Sequence, residues 1–269
     1  RKILSWALLL PLAMPTYIVA FAWLDLLHPI GPLQTFIRFL LGFDSPRQFR
    51  LPDLRSLSGA IILLGLVLYP YVYLTTRAMF ISQPAHLLEA ARTLGCSATG
   101  TFFRVALPMA RPALAVGISL ALLETLNDIG ASEFLGVQTL TVTVYTTWIS
   151  RSDLSAAAQI ACMMLMFIFF ILTLEIYGRR KQGFSSRSLR EIQPTRVQGW
   201  RGWLLGVVIS LPVVLGFLAP VLFLIWESAK RIGDESPISS SLLAALQNTL
   251  SLAAGTTLVA VCVSMLVAW

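Results

Sequence analysis

Residues 57–80 read LSGAIILLGLVLYPYVYLTTRAMF, and this stretch decides the class of fold. No Asp, Glu, Lys or Arg precedes Arg77 within it. A bilayer core about 30 Å thick is crossed by about 20 apolar residues as a helix, because a helix satisfies its backbone N–H groups internally. The stretch therefore predicts a transmembrane helix.

Similar apolar runs recur along the chain, so the sequence predicts an all-α, polytopic transmembrane helix bundle with about six spans. Pro11 and Pro15 lie inside the first run, where they predict a kinked helix packed among neighbours that satisfy the freed carbonyls. The other five runs cover residues 57–80, 113–137, 156–177, 203–226 and 250–269, and the first covers residues 3–27.

The composition excludes a soluble globular protein. Of the 269 residues 57% are hydrophobic and only 12% are charged, whereas roughly a quarter are charged in an ordinary soluble domain. The net charge is +7, but the cations gather between apolar runs and are not interleaved with aromatic residues. We therefore expect a lipid bilayer as the surroundings and no nucleic acid as a partner.

The positions of the cations predict the orientation. If the N-terminus is cytoplasmic, the segments 77–111 and 179–201 are cytoplasmic too, and these inside segments hold most of the 20 Lys and Arg residues. Residues 179–202 then form a basic cytoplasmic linker. On the outer side, the apolar spacing within residues 33–41 predicts a short helix lying in the membrane interface.

Signals of catalysis and of metal binding are absent from the sequence. It has no GxxxxGK, HExxH or GxSxG motif, only two His, and three Cys without zinc-site spacing. We expect no catalytic residue, no metal ligand and no cofactor in this chain.

The segment 84–108, between the second and third runs, has a sequence pattern that predicts two short helices. Ser82 or Gln83 can cap a first helix that Pro84 opens, and Gly95 supplies a left-handed stop. Ser97 can cap a second helix, which we expect to end before Pro108 because proline disfavours helical geometry in the residue preceding it. The apolar stripe of the first helix consists of Leu87, Leu88, Ala91 and Leu94.

The spacing in this segment resembles the EAA loop of the membrane subunits of binding-protein-dependent ABC importers. That pattern is Glu-Ala-Ala, three residues, Gly, nine residues, then Ile-x-Leu-Pro. The resemblance implies that the loop docks into a separate ABC ATPase dimer, which uses ATP, and transmits its motion. The resemblance implies this role for the residues that match the motif, which are Glu89, Ala90, Ala91, Gly95, Val105 (where Ile is usual), Leu107 and Pro108.

The stretches at 10–23, 31–43, 69–80 and 124–145 look like the ferric-iron permeases of these importers, which are fused double permeases. The resemblance implies a bacterial inner-membrane protein with a periplasmic substrate-binding protein as a further partner. On this interpretation residues 1–178 are the last four helices of a first half, and residues 203–269 are the first two helices of a truncated second half. We expect the chain to be a fragment.

Three polar residues interrupt the third run: Glu124, Asn127 and Asp128. Glu124 and Asp128 are four residues apart, so we expect them on one helix face, in or near the outer half of the bilayer. One interpretation is that this face lines the outward end of a translocation pathway. The other is that Asp128 marks the helix leaving the membrane and Glu124 bonds a neighbouring helix.

Other functions stay open at this point. Within the importer family the substrate can be thiamine, a polyamine or an oxyanion instead of ferric iron. A secondary transporter driven by an ion gradient would use Glu124 and Asp128 for coupling, but it leaves the EAA loop unexplained. A membrane scaffold is a third class.

Overall fold

The computed structural model describes residues 2–83, 85–179, 199–234 and 240–268. Contacts divide the chain into two compact units, residues 1–221 and residues 222–269. Regular secondary structure in the described ranges is entirely helical. The α-helices are α1 (Lys2–Ala7), α2 (Thr16–Leu26), α3 (Pro32–Leu41), α4 (Leu57–Ser82), α5 (Ala85–Thr93), α6 (Ala98–Thr101), α7 (Leu107–Asn127), α8 (Gly130–Phe134), α9 (Leu140–Ile149), α10 (Leu154–Arg179), α11 (Trp200–Val213), α12 (Ala219–Asp234) and α13 (Ser240–Ala268).

The predicted all-α membrane fold is confirmed. Across the described part of the chain, five helical stretches are long and apolar enough to cross a membrane. Most of the predicted basic linker, residues 180–198, lies outside the described residues. The five stretches are Leu57–Ser82, Ala98–Asn127, Leu154–Tyr177, Gly202–Arg231 and Ser241–Val267.

The first apolar run is not the single kinked helix that we predicted. A 3₁₀ turn (Leu10–Ala13) follows α1, and Met14 then adopts an extended conformation (φ −106°, ψ 129°). Pro15 explains this break, because proline pushes the preceding residue out of the helical region. The longest helix within the first predicted span is therefore α2, with 11 residues.

The third run also differs from the prediction, which placed its end at residue 137. Helix α7 ends at Asn127, and Asp128 (ψ 112°) is already non-helical. Two short helices follow, α8 and α9. The side chain of Thr139 caps α9 by accepting a 3.2 Å hydrogen bond from the amide of Val142.

The core of the first unit lies between α2, α4 and α8. Val19, Ala20, Leu63, Val67 and Ala131 are buried there, each at most 2% exposed. Small residues from α2 and α8 let these helices approach the larger side chains of α4. The packing fixes both short helices on a membrane-length helix.

Helix α3 has a reversed distribution of polarity. Its side chains Gln34 and Arg38 are buried, whereas Phe36 and Phe39 are exposed. Gln34 donates a 2.6 Å hydrogen bond to the carbonyl of Leu27, which ties the buried face to the protein. The predicted helix is present, and its lying in the membrane interface stays a prediction.

Two of the long helices contain a five-residue π turn. The turns cover Phe102–Ala106 and Val214–Leu218, and each is followed after one residue by a proline, Pro108 or Pro220. A proline in an α-helix clashes with the carbonyl four residues earlier, and a wider turn relieves that clash. The π turn therefore lets each helix continue through its proline.

The second π turn also leaves one carbonyl without a helical donor. The amide of Ala219 bonds to the carbonyl of Val214, and Pro220 has no N–H to offer the carbonyl of Leu215. The indole of Trp23 on α2 donates a 2.9 Å hydrogen bond to that carbonyl. This bond fastens the π turn to the core of the first unit.

Candidate functional site

The turn between α5 and α6 has the predicted geometry. Gly95 has φ +88°, in the left-handed region that favours glycine. The amide of Gly95 donates a 3.0 Å hydrogen bond to the carbonyl of Arg92, and the amide of Cys96 donates one of 3.0 Å to the carbonyl of Ala91. These two bonds close the end of α5. Gly95 thus sets the angle between the two short helices.

The predicted N-cap at Ser97 is confirmed, but the predicted end before Pro108 is wrong. The Ser97 hydroxyl oxygen accepts a 3.1 Å hydrogen bond from the amide of Gly100. The helix then runs through the π turn and Pro108 into α7. Residues Ala98–Asn127 therefore form one helical rod of 30 residues, about 45 Å long at 1.5 Å per residue.

The expected cap at the start of α5 is not formed by either predicted side chain. The Ser82 hydroxyl donates a 3.0 Å bond to the carbonyl of Met79. The amide nitrogen of Gln83 donates a 2.8 Å bond to the carbonyl of Ala106, in the π turn. Pro84, which we expected to open the helix, lies outside the described residues.

The apolar stripe of α5 is only partly buried. Ala91 is buried and Leu88 half-buried, but Leu87 is 40% and Leu94 is 86% exposed. Phe102 and Phe103 in the π turn are also exposed, with ring centroids 5.1 Å apart. We call Leu87, Leu94, Phe102 and Phe103 the exposed loop face.

The motif residues divide between the surface and the attachment of the loop. Glu89, Ala90 and Gly95 are exposed, whereas Ala91 is buried. The residues at the other end of the motif are half-buried; they are Val105, Leu107 and Pro108.

The polar residues of the third run lie at the opposite end of the rod. Glu124 is exposed, and its carboxylate accepts a 3.0 Å hydrogen bond from the hydroxyl of Tyr71 on α4. Asn127 is the exposed last residue of α7. Asp128 follows it as the C-cap residue (φ −75°, ψ 112°), and the common helix face for Glu124 and Asp128 stays a prediction.

The carboxylate of Asp128 links α2 to α8. It accepts hydrogen bonds from the Thr16 hydroxyl at the start of α2, and from the amide (3.0 Å) and hydroxyl (3.2 Å) of Ser132 in α8. An Asp just before a short helix is a capping signal, and our sequence reasoning did not use it. Nothing in the sequence pairs Tyr71 with Glu124 or Gln83 with Ala106.

The sequence profile of a family described as "Binding-protein-dependent transport system inner membrane component" matches residues 1–187. The chain belongs to this family. The matched region contains the loop 84–108, the rod and the polar residues at its far end. Together with the membrane-length helices, the match makes the chain a multi-pass protein of the inner membrane.

Several curated relatives share the matched region. A Salmonella typhimurium protein, provisionally named a 2-aminoethylphosphonate transport system permease, is 30% identical over 178 residues, which are 65% of this chain and 61% of the relative. The Fe(3+)-transport system permease protein FbpB 2 of Haemophilus influenzae is 25% identical over 176 residues, 65% of this chain and 30% of the relative. The sulfate transport system permease protein CysT of Salmonella typhimurium is 27% identical over 193 residues, 68% and 66%. The chain spans about three fifths of the length of the phosphonate relative.

Proposed function

We propose that this chain is the membrane-spanning permease of an ATP-driven importer, and that the loop 84–108 couples it to a separate ATPase dimer. The observation that carries the proposal is the continuous helix from the loop into the membrane. A rod of about 45 Å exceeds the hydrocarbon core of about 30 Å by about 15 Å. The loop end can therefore project into the cytoplasm while the other end reaches the outer half of the bilayer.

Each part of the loop has a role in this proposal. The exposed loop face offers apolar contact area to the ATPase. The exposed Glu89 and Ala90 lie on α5, which also carries Leu87 of that face. Gly95 holds the angle of that helix. Ala91, Val105, Leu107 and Pro108 attach the loop to the bundle, so that a displacement of α5 moves α7. ATP is hydrolysed by the partner, and this chain itself performs no catalysis.

Co-purification from membranes tests the coupling proposal, with matched glycine variants as the control. Gly42, after α3, also has a positive φ (+73°), and neither glycine has an atom near its missing Cβ. Gly95→Ala and Gly42→Ala therefore both place alanine at a positive φ, one inside the loop and one outside it. We expect Gly95→Ala to reduce the co-purified ATPase and Gly42→Ala to leave it unchanged.

Two results would overturn the coupling proposal. One is wild-type protein that brings down no ATPase; the other is equal loss of ATPase in both glycine variants. A second pair of variants, Glu89→Gln and Glu133→Gln, compares in the same way how loss of a negative charge inside and outside the loop changes the amount of co-purified ATPase. Uptake that needs an ion gradient but no ATP would favour the secondary transporter instead.

For the substrate we propose ferric iron, delivered by a periplasmic binding protein. The likeness to the iron permease of Haemophilus influenzae supports it, as do the four stretches that resemble ferric-iron permeases, residues 10–23, 31–43, 69–80 and 124–145. Two further membrane-length stretches, Gly202–Arg231 and Ser241–Val267, lie beyond the family match and fit a fused double permease. On this proposal residues 1–178 and 203–269 belong to successive permease halves, joined by the linker 179–202.

The relatives named for phosphonate and sulfate transport favour an anion as the second candidate. Uptake of radioactive Fe(III), sulfate and 2-aminoethylphosphonate by cells with and without the intact transporter separates the two. Iron uptake that is lost with the transporter supports the first candidate. Loss of anion uptake alone would replace it.

We also propose that Glu124, Asn127 and Asp128 border the outward end of the translocation pathway. The exposure of Glu124 and Asn127 supports this role, whereas the hydrogen bonds of Asp128 also suit a capping role. Glu124→Gln and Asp128→Asn remove the charge but retain an oxygen that accepts hydrogen bonds. Slower uptake in these folded variants supports the pathway, and unchanged uptake contradicts it.

A further inference from the structure

Gln83 lies where three parts of the molecule meet. It follows the last residue of α4, precedes the loop by one residue, and its side chain reaches the π turn. Although polar, this side chain is only 2% exposed. Its amide nitrogen donates a 2.8 Å hydrogen bond to the carbonyl of Ala106.

The other polar atom of this side chain lacks a partner in the described part of the chain. The Gln83 amide oxygen is buried and has no hydrogen-bond partner among the described residues. A buried acceptor without a partner has an energetic cost, so leucine or methionine would be cheaper if the position only filled space. The bond to Ala106 is thus the feature that distinguishes glutamine from an apolar residue here.

The bond to Ala106 connects α4 to α7 at the loop end. Two further contacts connect the same helices towards the outer end. At Gly117 a Cβ would lie 2.6 Å from Val72 Cα, so the two backbones touch. Beyond it, the Tyr71 hydroxyl bonds to Glu124. The helices are therefore held together at three levels along their length.

We infer that Gln83 is a positioning residue that makes α4 and α7 move together when the loop is displaced. The inference rests on the proposed function and deepens it. The second loop helix is continuous only with α7, while α4 is connected to the loop through residue 84. Without the bond to Ala106, α4 is no longer tied to the π turn, so less of the motion of α5 is shared with α4 and reaches the outer end near Asn127.

A labelling experiment tests the inference without knowledge of the substrate. The full transporter complex carries Asn127→Cys as a reporter in a background in which the native cysteines are alanine. Labelling by a membrane-impermeant maleimide is timed without nucleotide and after trapping with ATP and vanadate. In the reporter protein we expect the rate to change at least about fivefold, within the usual range of allosteric coupling.

Gln83→Met fills nearly the same volume without the hydrogen bond, and Gln83→Asn keeps the amide on a shorter side chain. We expect both to reduce the nucleotide response below about twofold, at unchanged co-purification of the ATPase. Ser82→Ala changes an exposed neighbour whose hydroxyl bonds to the carbonyl of Met79 within α4, and it should keep the full response. A residue that merely stabilised the fold would instead lower the yield and the ATPase content together.

The outcomes separate this inference from the proposed function. A reporter protein with Gln83 intact that binds no ATPase, or shows no nucleotide response, would refute the proposed function and with it the role of Gln83. A reporter protein that responds, together with Gln83 variants that respond equally, would refute the role of Gln83 alone. If Gln83→Met yields no folded protein, the same comparison is made with Gln83→Asn.

Discussion

Replacing Gly117 by alanine tests the close approach between α4 and α7. A Cβ at this position would lie 2.6 Å from Val72 Cα and 3.1 Å from the carbonyl oxygen of Tyr71, both of them backbone atoms. Such atoms move only if the helices separate. Overpacking of this kind costs about 1–3 kcal/mol.

The matched control is Gly65→Ala on α4. A Cβ there meets no atom within 4 Å, since Gly65 lines an apolar cavity of about 380 Å³. Both substitutions gain about 0.5–1 kcal/mol from the lower flexibility of alanine in a helix. That gain cancels in the comparison, so the difference between the two variants isolates the packing cost.

The free energy of unfolding is measured by titrating the purified protein with SDS in mixed micelles. We expect Gly65→Ala to stabilise by about 0.5–1 kcal/mol. Gly117→Ala should be less stable than Gly65→Ala by about 1–3 kcal/mol. Equal stabilisation of both variants would show that the helices do not touch at Gly117 and would remove one of the three connections that support the role of Gln83.

Three further predictions concern other parts of the chain. Ser97→Ala should destabilise the start of α6 by about 1 kcal/mol, seen as faster amide hydrogen exchange there but not in α9, and unchanged exchange would contradict the cap. Trp23→Phe should lower the free energy of unfolding by about 0.5–1.5 kcal/mol through loss of the bond to Leu215, and an unchanged value would contradict that bond. A spin label at Phe39→Cys should relax faster with oxygen than with a water-soluble nickel reagent, and one at Arg47→Cys the reverse. Equal behaviour of both labels would mean that α3 does not lie in the membrane interface.

Local signals in the sequence predicted local structure well. The apolar length of residues 57–80 predicted α4, Gly95 predicted the left-handed stop, and Ser97 predicted the cap. Each of these features depends on a few adjacent residues, so the neighbouring sequence is enough to produce it.

The wrong predictions all involved prolines or helix ends. Pro15 broke the first run because it forced Met14 to be extended, whereas Pro108 did not end its helix because a π turn accommodated it. The same residue type thus gave opposite results. Whether a broken or a continued helix has the lower free energy depends on the elements packed around the proline, and those elements are distant in sequence.

The sequence by itself determined that this is a helical membrane protein with a helix–turn–helix loop, since apolar length and turn residues act locally. The placement of the cations predicts that this loop is cytoplasmic. Only the tertiary structure decided which polar side chains meet: Gln83 with Ala106, Tyr71 with Glu124, and Asp128 with Thr16. The physical reason is that these bonds join different elements. Their formation depends on how closely helices approach, and that distance is set by packing at positions such as Gly117.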